Sequence, residues 1–329
     1  MMAPGFPQVK RTLLSRWVLR LAGVGLFALI LANLDVPGIV STIARLQPIY
    51  VMYATILFPL LIILKALRWQ SLMGMQGIQY GFMDSLLAYF AGLYLGVVTP
   101  GRLGELLRAV YVRNEKGVRL ARSISSVLVD RLMDLLVLGV TAFAGLFVFA
   151  RSGTFVTLGL ASTGMFAAAS APILSERMGS LILTLCRRLL IFRETAERLR
   201  PHFGEFYEGI RMLHTLQIAV PLALSVAGIG TFYGLCYLLA LSLNIAISPF
   251  YLACSMSIAN FASLVPLSIS GIGTRDLVLI GLFGSVGLSA ETAVAFSLIF
   301  LLYFTGLSAL LGLLAWLIKP LGFRSDDRT

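Results

Sequence analysis

The sequence predicts an all-α polytopic membrane protein with about six or seven full spans and two re-entrant or broken helical hairpins. Three observations support this fold class. Of the 329 residues, 58% are hydrophobic and only 12% are charged, whereas an average soluble domain is about 25% charged. Several apolar windows reach the roughly 20 residues that a helix needs to cross a bilayer. Two further apolar stretches are interrupted by proline and glycine.

The candidate spans occupy residues 17–34, 49–67, 123–150, 154–172, 216–243 and 290–318. The first follows basic residues like a secretory signal, but no small-residue cleavage site follows it, so we interpret it as a retained helix. The second ends near Lys65, Arg68 and Trp69, which we interpret as a cluster at the inner membrane boundary. The alternating polarity of a membrane β-barrel strand is not found along the sequence.

The two broken stretches are the first hairpin, residues 82–112, and the second hairpin, residues 249–287. They divide the chain into an N-terminal membrane half, 1–174, a polar amphipathic linker, 175–215, and a C-terminal membrane half, 216–329. If both termini are cytoplasmic, the first hairpin enters from the cytoplasm and the second from outside. The halves then form an inverted-topology repeat, an arrangement common in transporters.

The basic residues sort by the predicted side of the membrane. Of the 26 Lys and Arg residues, all but six fall in segments assigned to the cytoplasm. Two of the six, Arg45 and Arg151, are assigned to the outside, and the rest to membrane depth. This bias predicts a multi-pass protein of the cytoplasmic (inner) cell membrane with both termini and the linker in the cytoplasm. The net charge of +11 therefore does not indicate a nucleic-acid partner.

Each break combines proline and glycine, which interrupt the helix, with polar residues. We expect the first break to hinge at Pro100, Gly101 and Gly104, and the second at Pro266 and Gly273. Because half-helix N-termini directed at a break favour an anionic group, we expect a headgroup site there. The candidate substrate-binding residues at the two breaks are Arg102, Glu105, Arg108, Ser270, Gly271, Arg275 and Asp276.

A third polar group, Asp130, Arg131 and Asp134, interrupts the span at 123–150 and completes the candidate site. A charge at the bilayer centre costs roughly 2.5 to 3.5 kcal/mol, so these side chains are not expected to face lipid. Two alternatives remain open. The four arginines at membrane depth could neutralise four carboxylates as purely structural pairs, or Asp130 and Arg131 could lie at the inner boundary.

No catalytic constellation is found in the sequence, so we expect no enzyme, no cofactor and no metal. The three cysteines, Cys186, Cys236 and Cys254, lack metal-ligand spacing. No nucleophile elbow, zinc-protease or phosphate-loop motif is present. Gly92 and Gly96 form a GxxxG pair, which is typical of close helix packing.

Three segments of the sequence resemble, in the same order, motifs of the lysylphosphatidylglycerol synthase transmembrane (flippase-like) family. They run from Gly96 to Glu105, from Val129 to Asp134 and from Pro266 to Asp276. The second break departs from the family's usual paired glycines and final glutamate. The aminoacyl-transferase domain that follows the membrane region in larger relatives has no counterpart here. The resemblance, which covers residues 15–318, thus implies lipid translocation without lipid synthesis.

The predicted function is a flippase-like translocase that moves an amphipathic phospholipid, glycolipid or hopanoid-type lipid between leaflets through a polar midplane cavity. One alternative is an intramembrane transferase or an accessory subunit of a lipid-modifying enzyme, with Glu105 or Asp134 as base. Another is an ion-coupled transporter of a soluble solute. Membrane lipid is the expected substrate, and a homo-oligomer or a lipid-synthesising enzyme is left open as a protein partner.

Overall fold

The computed structural model describes residues 35–98, 100–149, 153–175, 177–178, 180–181, 203–211, 218–263 and 271–319. In this part of the chain every regular element is a helix. The predicted first span at 17–34, most of the linker, Pro266 and Ser270 lie outside the described residues.

The helices follow one another with short connections. In chain order they are α1 (Val36–Ala44), α2 (Pro48–Met75), α3 (Phe82–Val98), a 3-10 helix (Pro100–Leu107), α4 (Arg108–Lys116), α5 (Leu120–Val148), α6 (Gly153–Leu174), α7 (Phe203–Arg211), α8 (Ala219–Ser242), α9 (Pro249–Ala262), α10 (Thr274–Gly284) and α11 (Ala290–Ile318). Proline in the first turn fixes the start of α1, α2 and α9, where a missing amide hydrogen costs nothing. Gly117, with φ of 64°, ends α4 in the left-handed conformation.

Four described helices are long and apolar enough to cross a membrane: α2, α5, α8 and α11. They confirm the predicted all-helical, polytopic membrane fold and four of its candidate spans. Helix α6 is apolar over Gly153–Ala168, a shorter run. Large apolar side chains on the spans point away from the protein, among them Ile56, Val140 and Leu302. Outward-facing apolar surface of this kind suits contact with lipid.

The predicted end of the second span, near Lys65 and Arg68, was wrong. Helix α2 continues to Met75, and beyond Arg68 it buries Leu72 and Met73 completely. Arg68 itself is only 1% exposed. Both basic residues therefore lie within helix α2 and not at its end, because the apolar character of the helix resumes after one polar turn.

The long helices pack in a reciprocal pattern. Helices α2 and α8 lie along each other, α3 packs against α11, and α9 packs against α5. Helix α3, the first arm of the first hairpin, packs on α11, the span after the second hairpin. Helix α9, the first arm of the second hairpin, packs on α5, the span after the first hairpin. Two halves related by a two-fold axis would make this pair of contacts. The inverted repeat itself, and the division into halves and linker, stay predictions.

Helix α11 lies unusually close to the first hairpin at Gly312. A Cβ at this position would come within 2.5 Å of the Phe90 carbonyl oxygen and 2.6 Å of the Tyr94 Cβ. Small residues permit such a backbone approach, as they do at other membrane helix interfaces. Directly after α11, Nζ of Lys319 lies 2.7 Å from the Asp84 carboxylate at the start of α3. The end of α11 is therefore joined to the first hairpin by both packing and an ion pair.

One helix of the predicted amphipathic linker is described. Helix α7 buries Tyr207 and Ile210 in an apolar cluster with Leu72, Val129 and Met133. Glu208, on the same helix, is exposed. Helix α7 therefore has one buried apolar side, which packs on α5 and on Leu72 of α2, and one exposed side.

Candidate functional site

Ionisable side chains meet where α2, α5 and the first hairpin come together. We call this group the charge cluster. Its members are Lys65, Arg68, Glu105, Arg108, Asp130, Arg131 and Asp134.

Asp130 lies at the centre of the charge cluster and is completely buried. Its Oδ1 accepts a hydrogen bond from Nε of Arg68 at 2.7 Å, and its Oδ2 accepts one from Nη2 of Arg108 at 2.7 Å. One carboxylate is therefore clamped between a guanidinium from α2 and another from the first hairpin. Charge-assisted bonds of this length are the strong class of protein hydrogen bonds.

Asp134, one turn further along α5, binds two cations of α2. Its Oδ1 accepts from Nη1 of Arg68 at 2.5 Å, and its Oδ2 accepts from Nζ of Lys65 at 2.5 Å. Residues three or four apart share one face of a helix, so Lys65 and Arg68 meet Asp130 and Asp134 as two matched rows. The Nη1 of Arg68 also reaches Ser225 Oγ on α8 at 3.3 Å.

Glu105 and Arg131 form the outer ion pair of the charge cluster. The Glu105 side chain is 5% exposed and the Arg131 side chain 30% exposed, so the cluster reaches the protein surface at Arg131. Gly96 makes room for the carboxylate arm, because a Cβ there would lie 2.6 Å from Cγ of Glu105.

Arg108 is held between two aromatic rings. Its guanidinium carbon lies 5.0 Å from the centroid of the Trp69 ring and 4.4 Å from that of Tyr89. Cation–π attraction of this geometry strengthens where water is excluded. Gly92 lies under this side chain, with a Cβ position 3.6 Å from Arg108 Cβ. The GxxxG pair thus permits close packing, as predicted, and the residues packed on it are the charged ones.

The charge cluster lies well inside the spans. Arg68 is seven residues before Met75, the end of α2, and Asp134 is fourteen residues after Leu120, the start of α5. At about 1.5 Å per residue, the cluster occupies a band roughly 10 to 20 Å from these helix ends. Helices of this length exceed the hydrocarbon thickness of about 30 Å by only a turn or so at each end. If both helices are centred in the bilayer, the cluster is expected at hydrocarbon depth.

The charges of the cluster do not balance, since four basic side chains meet three carboxylates. Hydrogen-bonding capacity is also left over. Among the described residues, Nη2 of Arg68 and both Nε and Nη1 of Arg108 are buried without a partner. A buried, unsatisfied charged donor is costly, so these atoms mark where a further acceptor would be stabilising.

The second break is organised differently. Gly271 and Gly273 adopt φ values of 80° and 87°, which open the turn before α10. Asp276 accepts a hydrogen bond from the Gly273 amide at 2.7 Å, as a residue capping the start of α10. Arg275 donates from Nε to Ser297 Oγ at 2.8 Å and lies 5.0 Å from the Phe300 ring. These polar groups find partners within their own half.

Comparison with known proteins identifies the family. The profile of the lysylphosphatidylglycerol synthase TM region family matches residues 13–318. The chain belongs to this family. It is also 25% identical over 305 residues to a UPF0104 membrane protein from Methanocaldococcus jannaschii, covering 88% of this chain and 90% of that one. No solved structure matched.

The structure of this family member brings together five of the predicted site residues: Glu105, Arg108, Asp130, Arg131 and Asp134. Arg275, Asp276 and Gly271 lie at the second break, and Ser270 lies outside the described residues. Pro100, Gly101, Arg102 and Gly104 all lie in the 3-10 helix, and of these Gly104 is buried. The side chain of Arg102 is outside what the structure describes. A substrate-binding role for these residues stays a prediction.

Sequence reasoning missed Lys65 and Arg68, although a signal was present. The two bases are spaced by three residues on one face of α2, and Asp130 and Asp134 are spaced by four on one face of α5. Such rows can meet across two packed helices. The alternative of purely structural ion pairs, as predicted from the sequence, matched four arginines with four carboxylates. Neither Lys65 nor Arg68 was among them.

Proposed function

We propose that this protein moves an amphipathic lipid between the leaflets of a cytoplasmic-type membrane. The headgroup crosses along the charge cluster, while the acyl chains stay in the surrounding lipid. In this proposal the protein acts as a translocase without catalysing a covalent reaction, and no cofactor or metal takes part.

The observation that carries the proposal is the buried charge cluster within the apolar spans α2 and α5. Charged side chains within a membrane are expensive, and those that persist there typically line a substrate or ion pathway. A purely structural cluster would serve best with balanced charge and no leftover donors. As far as the structure describes the side chains, the basic excess and the guanidinium atoms of Arg68 and Arg108 that have no partner instead suit a site that receives a polar group.

The edge of the cluster supports entry from the lipid side. Arg131 is the most exposed member, and the Lys65 side chain is 15% exposed, whereas Asp130 and Arg108 are almost wholly buried. Polarity thus continues from the protein surface into its interior. A headgroup could exchange the Glu105 partner of Arg131 for its own acceptor and then reach the inner arginines.

The intramembrane transferase remains the alternative, and an observation on the carboxylates bears on it. Asp134 already binds Lys65 and Arg68, and Glu105 binds Arg131. A carboxylate whose oxygens are engaged by cations is not free to approach a substrate proton, which disfavours either residue as general base. Dependence of any activity on an activated donor would identify the transferase.

The test is lipid movement in liposomes containing the purified protein. Fluorescent headgroup lipids placed in one leaflet are followed by quenching from outside. We expect Glu105→Gln and Arg102→Ala to abolish movement, while membrane insertion and protein abundance stay near those of the unmodified protein.

Arg187→Ala, in the linker, is the matched control and should leave lipid movement unchanged. If activity in the Glu105 and Arg102 variants simply tracks protein abundance, the charges are structural pairs and the proposed pathway is wrong. Movement that occurs only with an activated donor present would favour the transferase.

A further inference from the structure

The geometry points to a specific ligand for the charge cluster: the phosphodiester group of a lipid that carries net negative charge, bound by Arg68 and Arg108. This inference rests on the proposed function, because it names the class of lipid that the site would accept. It assigns to Arg68 a binding role that the sequence patterns did not indicate.

Formal charge selects the sign of the ligand. Among the side chains that the structure describes, four basic groups against three carboxylates leave one positive charge in excess. A phosphodiester carries one negative charge and would bring the occupied cluster to neutrality. A net-positive headgroup would add to the excess, and burying uncompensated charge is strongly unfavourable.

Unfilled hydrogen-bonding positions select the chemical group. Arg68 and Arg108 both bind Asp130, one at each carboxylate oxygen, so their guanidiniums flank the same point. Nη2 of Arg68 and Nε and Nη1 of Arg108, which have no hydrogen-bond partner in the described part of the chain, belong to these two groups. A guanidinium offers paired donors in one plane, and phosphate oxygens accept them two at a time.

The packing around Arg108 holds this guanidinium in a fixed orientation. The rings of Trp69 and Tyr89 lie within 5.0 Å of it and hold it in position. Trp69 is itself fixed by a hydrogen bond from Nε1 to Ser126 Oγ at 3.1 Å. A donor already ordered by such packing loses little entropy when an anion binds.

The charge cluster could instead be filled by a free anion, since inorganic phosphate shares the same oxygen chemistry. The position of the cluster favours the lipid. It lies within the spans α2 and α5, and the outward faces of these spans carry large apolar side chains such as Ile56 and Val140, a surface that suits lipid. A headgroup tethered to acyl chains is already concentrated at that surface.

The experiment compares two lipids with identical acyl chains, phosphatidylglycerol and zwitterionic phosphatidylcholine. The full-length protein in neutral detergent is mixed with each lipid at equal mole fraction, and retained lipid is measured by native mass spectrometry. We expect about tenfold more retention of phosphatidylglycerol, the size expected for a charge-assisted hydrogen bond. Inorganic phosphate at the same concentration should neither be retained nor displace the lipid.

Arg68→Lys and Arg108→Lys keep the positive charge but lose the planar paired donors. Each should reduce phosphatidylglycerol retention to near the phosphatidylcholine level. Arg45→Lys, at an exposed position between α1 and α2, is the matched control and should retain lipid like the unmodified protein. If a cluster variant fails to fold, the comparison of the two lipids on the unmodified protein still decides.

Equal retention of the two lipids would overturn the inference, as would unchanged retention in both arginine variants. Binding of inorganic phosphate in place of the lipid would also overturn it. The outcome is separable from that of the proposed function. Selective retention without any lipid movement would support the anionic-lipid site but contradict the translocase. Movement of zwitterionic lipid with equal retention of both lipids would support the translocase but contradict the anionic-lipid site.

Discussion

Arg68 on α2 and Asp130 on α5 are joined by a 2.7 Å bond from Nε to Oδ1, with both side chains at or below 1% exposure. Removing one partner of a buried pair typically costs about 3 to 5 kcal/mol, because the other charge is left uncompensated. We expect Asp130→Asn to lower the thermal unfolding midpoint strongly, because both Arg68 and Arg108 lose their charged partner. Unfolding of the purified protein, followed by intrinsic fluorescence, measures this.

The comparison for Asp130 is a pair at the surface. Lys319 binds the carboxylate of Asp84, whose side chain is 47% exposed. Exposed pairs contribute roughly 0 to 1 kcal/mol, so Asp84→Asn should shift the unfolding midpoint far less than Asp130→Asn. Equal shifts would mean that Asp130 is solvated and that the cluster is not a buried network.

The close approach of α3 and α11 makes Gly312→Ala a stability test. A methyl group here would meet the Phe90 carbonyl at 2.5 Å, so the helices must separate. Overpacking of this kind typically costs about 1 to 3 kcal/mol. Gly306→Ala on the same helix is the control, because nothing lies within 4 Å of its Cβ position. A lower unfolding midpoint for Gly312→Ala alone is the expected result.

Gly96→Ala tests the link between the GxxxG pair and function. The added methyl would lie 2.6 Å from Glu105 Cγ and displace the carboxylate from Arg131. We expect slower lipid movement in the liposome assay at unchanged abundance. Gly230→Ala on α8, with nothing within 4 Å of its Cβ position, should move lipid normally. Full activity in Gly96→Ala would separate the Glu105–Arg131 pair from transport.

The predicted orientation can be tested with single cysteines at Ser180 and Asp326 in a background lacking Cys186, Cys236 and Cys254. If the linker and the C-terminus are cytoplasmic, an impermeant maleimide added to intact cells should label neither position. Both should react once the membrane is permeabilised, which serves as the positive control. Labelling from outside would reverse the topology and, with it, the direction from which each hairpin enters.

That the two breaks share one cavity also stays a prediction. Cysteines at Gly101 and Ile272 should be joined by a short bifunctional maleimide if the break tips meet. Ile272 replaces its neighbour Gly271 as the attachment point, because Gly271 has φ of 80° and a Cβ there would lie 2.4 Å from Ser263 Oγ. Pairing Ile272 with an exposed outer position, Arg45, should give no cross-link.

The sequence was sufficient for the helical membrane class because four apolar runs long enough to span a bilayer are visible without any tertiary contact. It also singled out Glu105, Asp130, Arg131 and Asp134, since charge in an apolar run is conspicuous. It did not identify Lys65 and Arg68 as members of the same group. A basic residue near the expected end of a span has an ordinary explanation as a boundary anchor, and only the length of α2 removes it.

The sequence did not predict which charged residues pair with each other. Arg108 is three residues from Glu105, yet it binds Asp130, while Glu105 binds Arg131. Spacing along one helix cannot decide between such exchanges, because the partners belong to different elements. Likewise, the role of Ser297 as partner of Arg275 depends on how α10 packs against α11. Nothing in the local pattern around Ser297 distinguishes it from other small polar residues within spans.

The contact of Gly312 with Phe90 and Tyr94 also has a consequence for biosynthesis. Helix α3 is among the first elements to enter the membrane, and α11 is the last described span, so their interface forms only after nearly all of the chain has been inserted. The first hairpin must keep its charged residues shielded throughout that interval. Arg68, Arg108 and Asp130 all precede the midpoint of the chain and can associate early. These pairs can therefore form before α11 is inserted, and α11 then packs over a hairpin whose Arg108 and Glu105 already have ionic partners on α5.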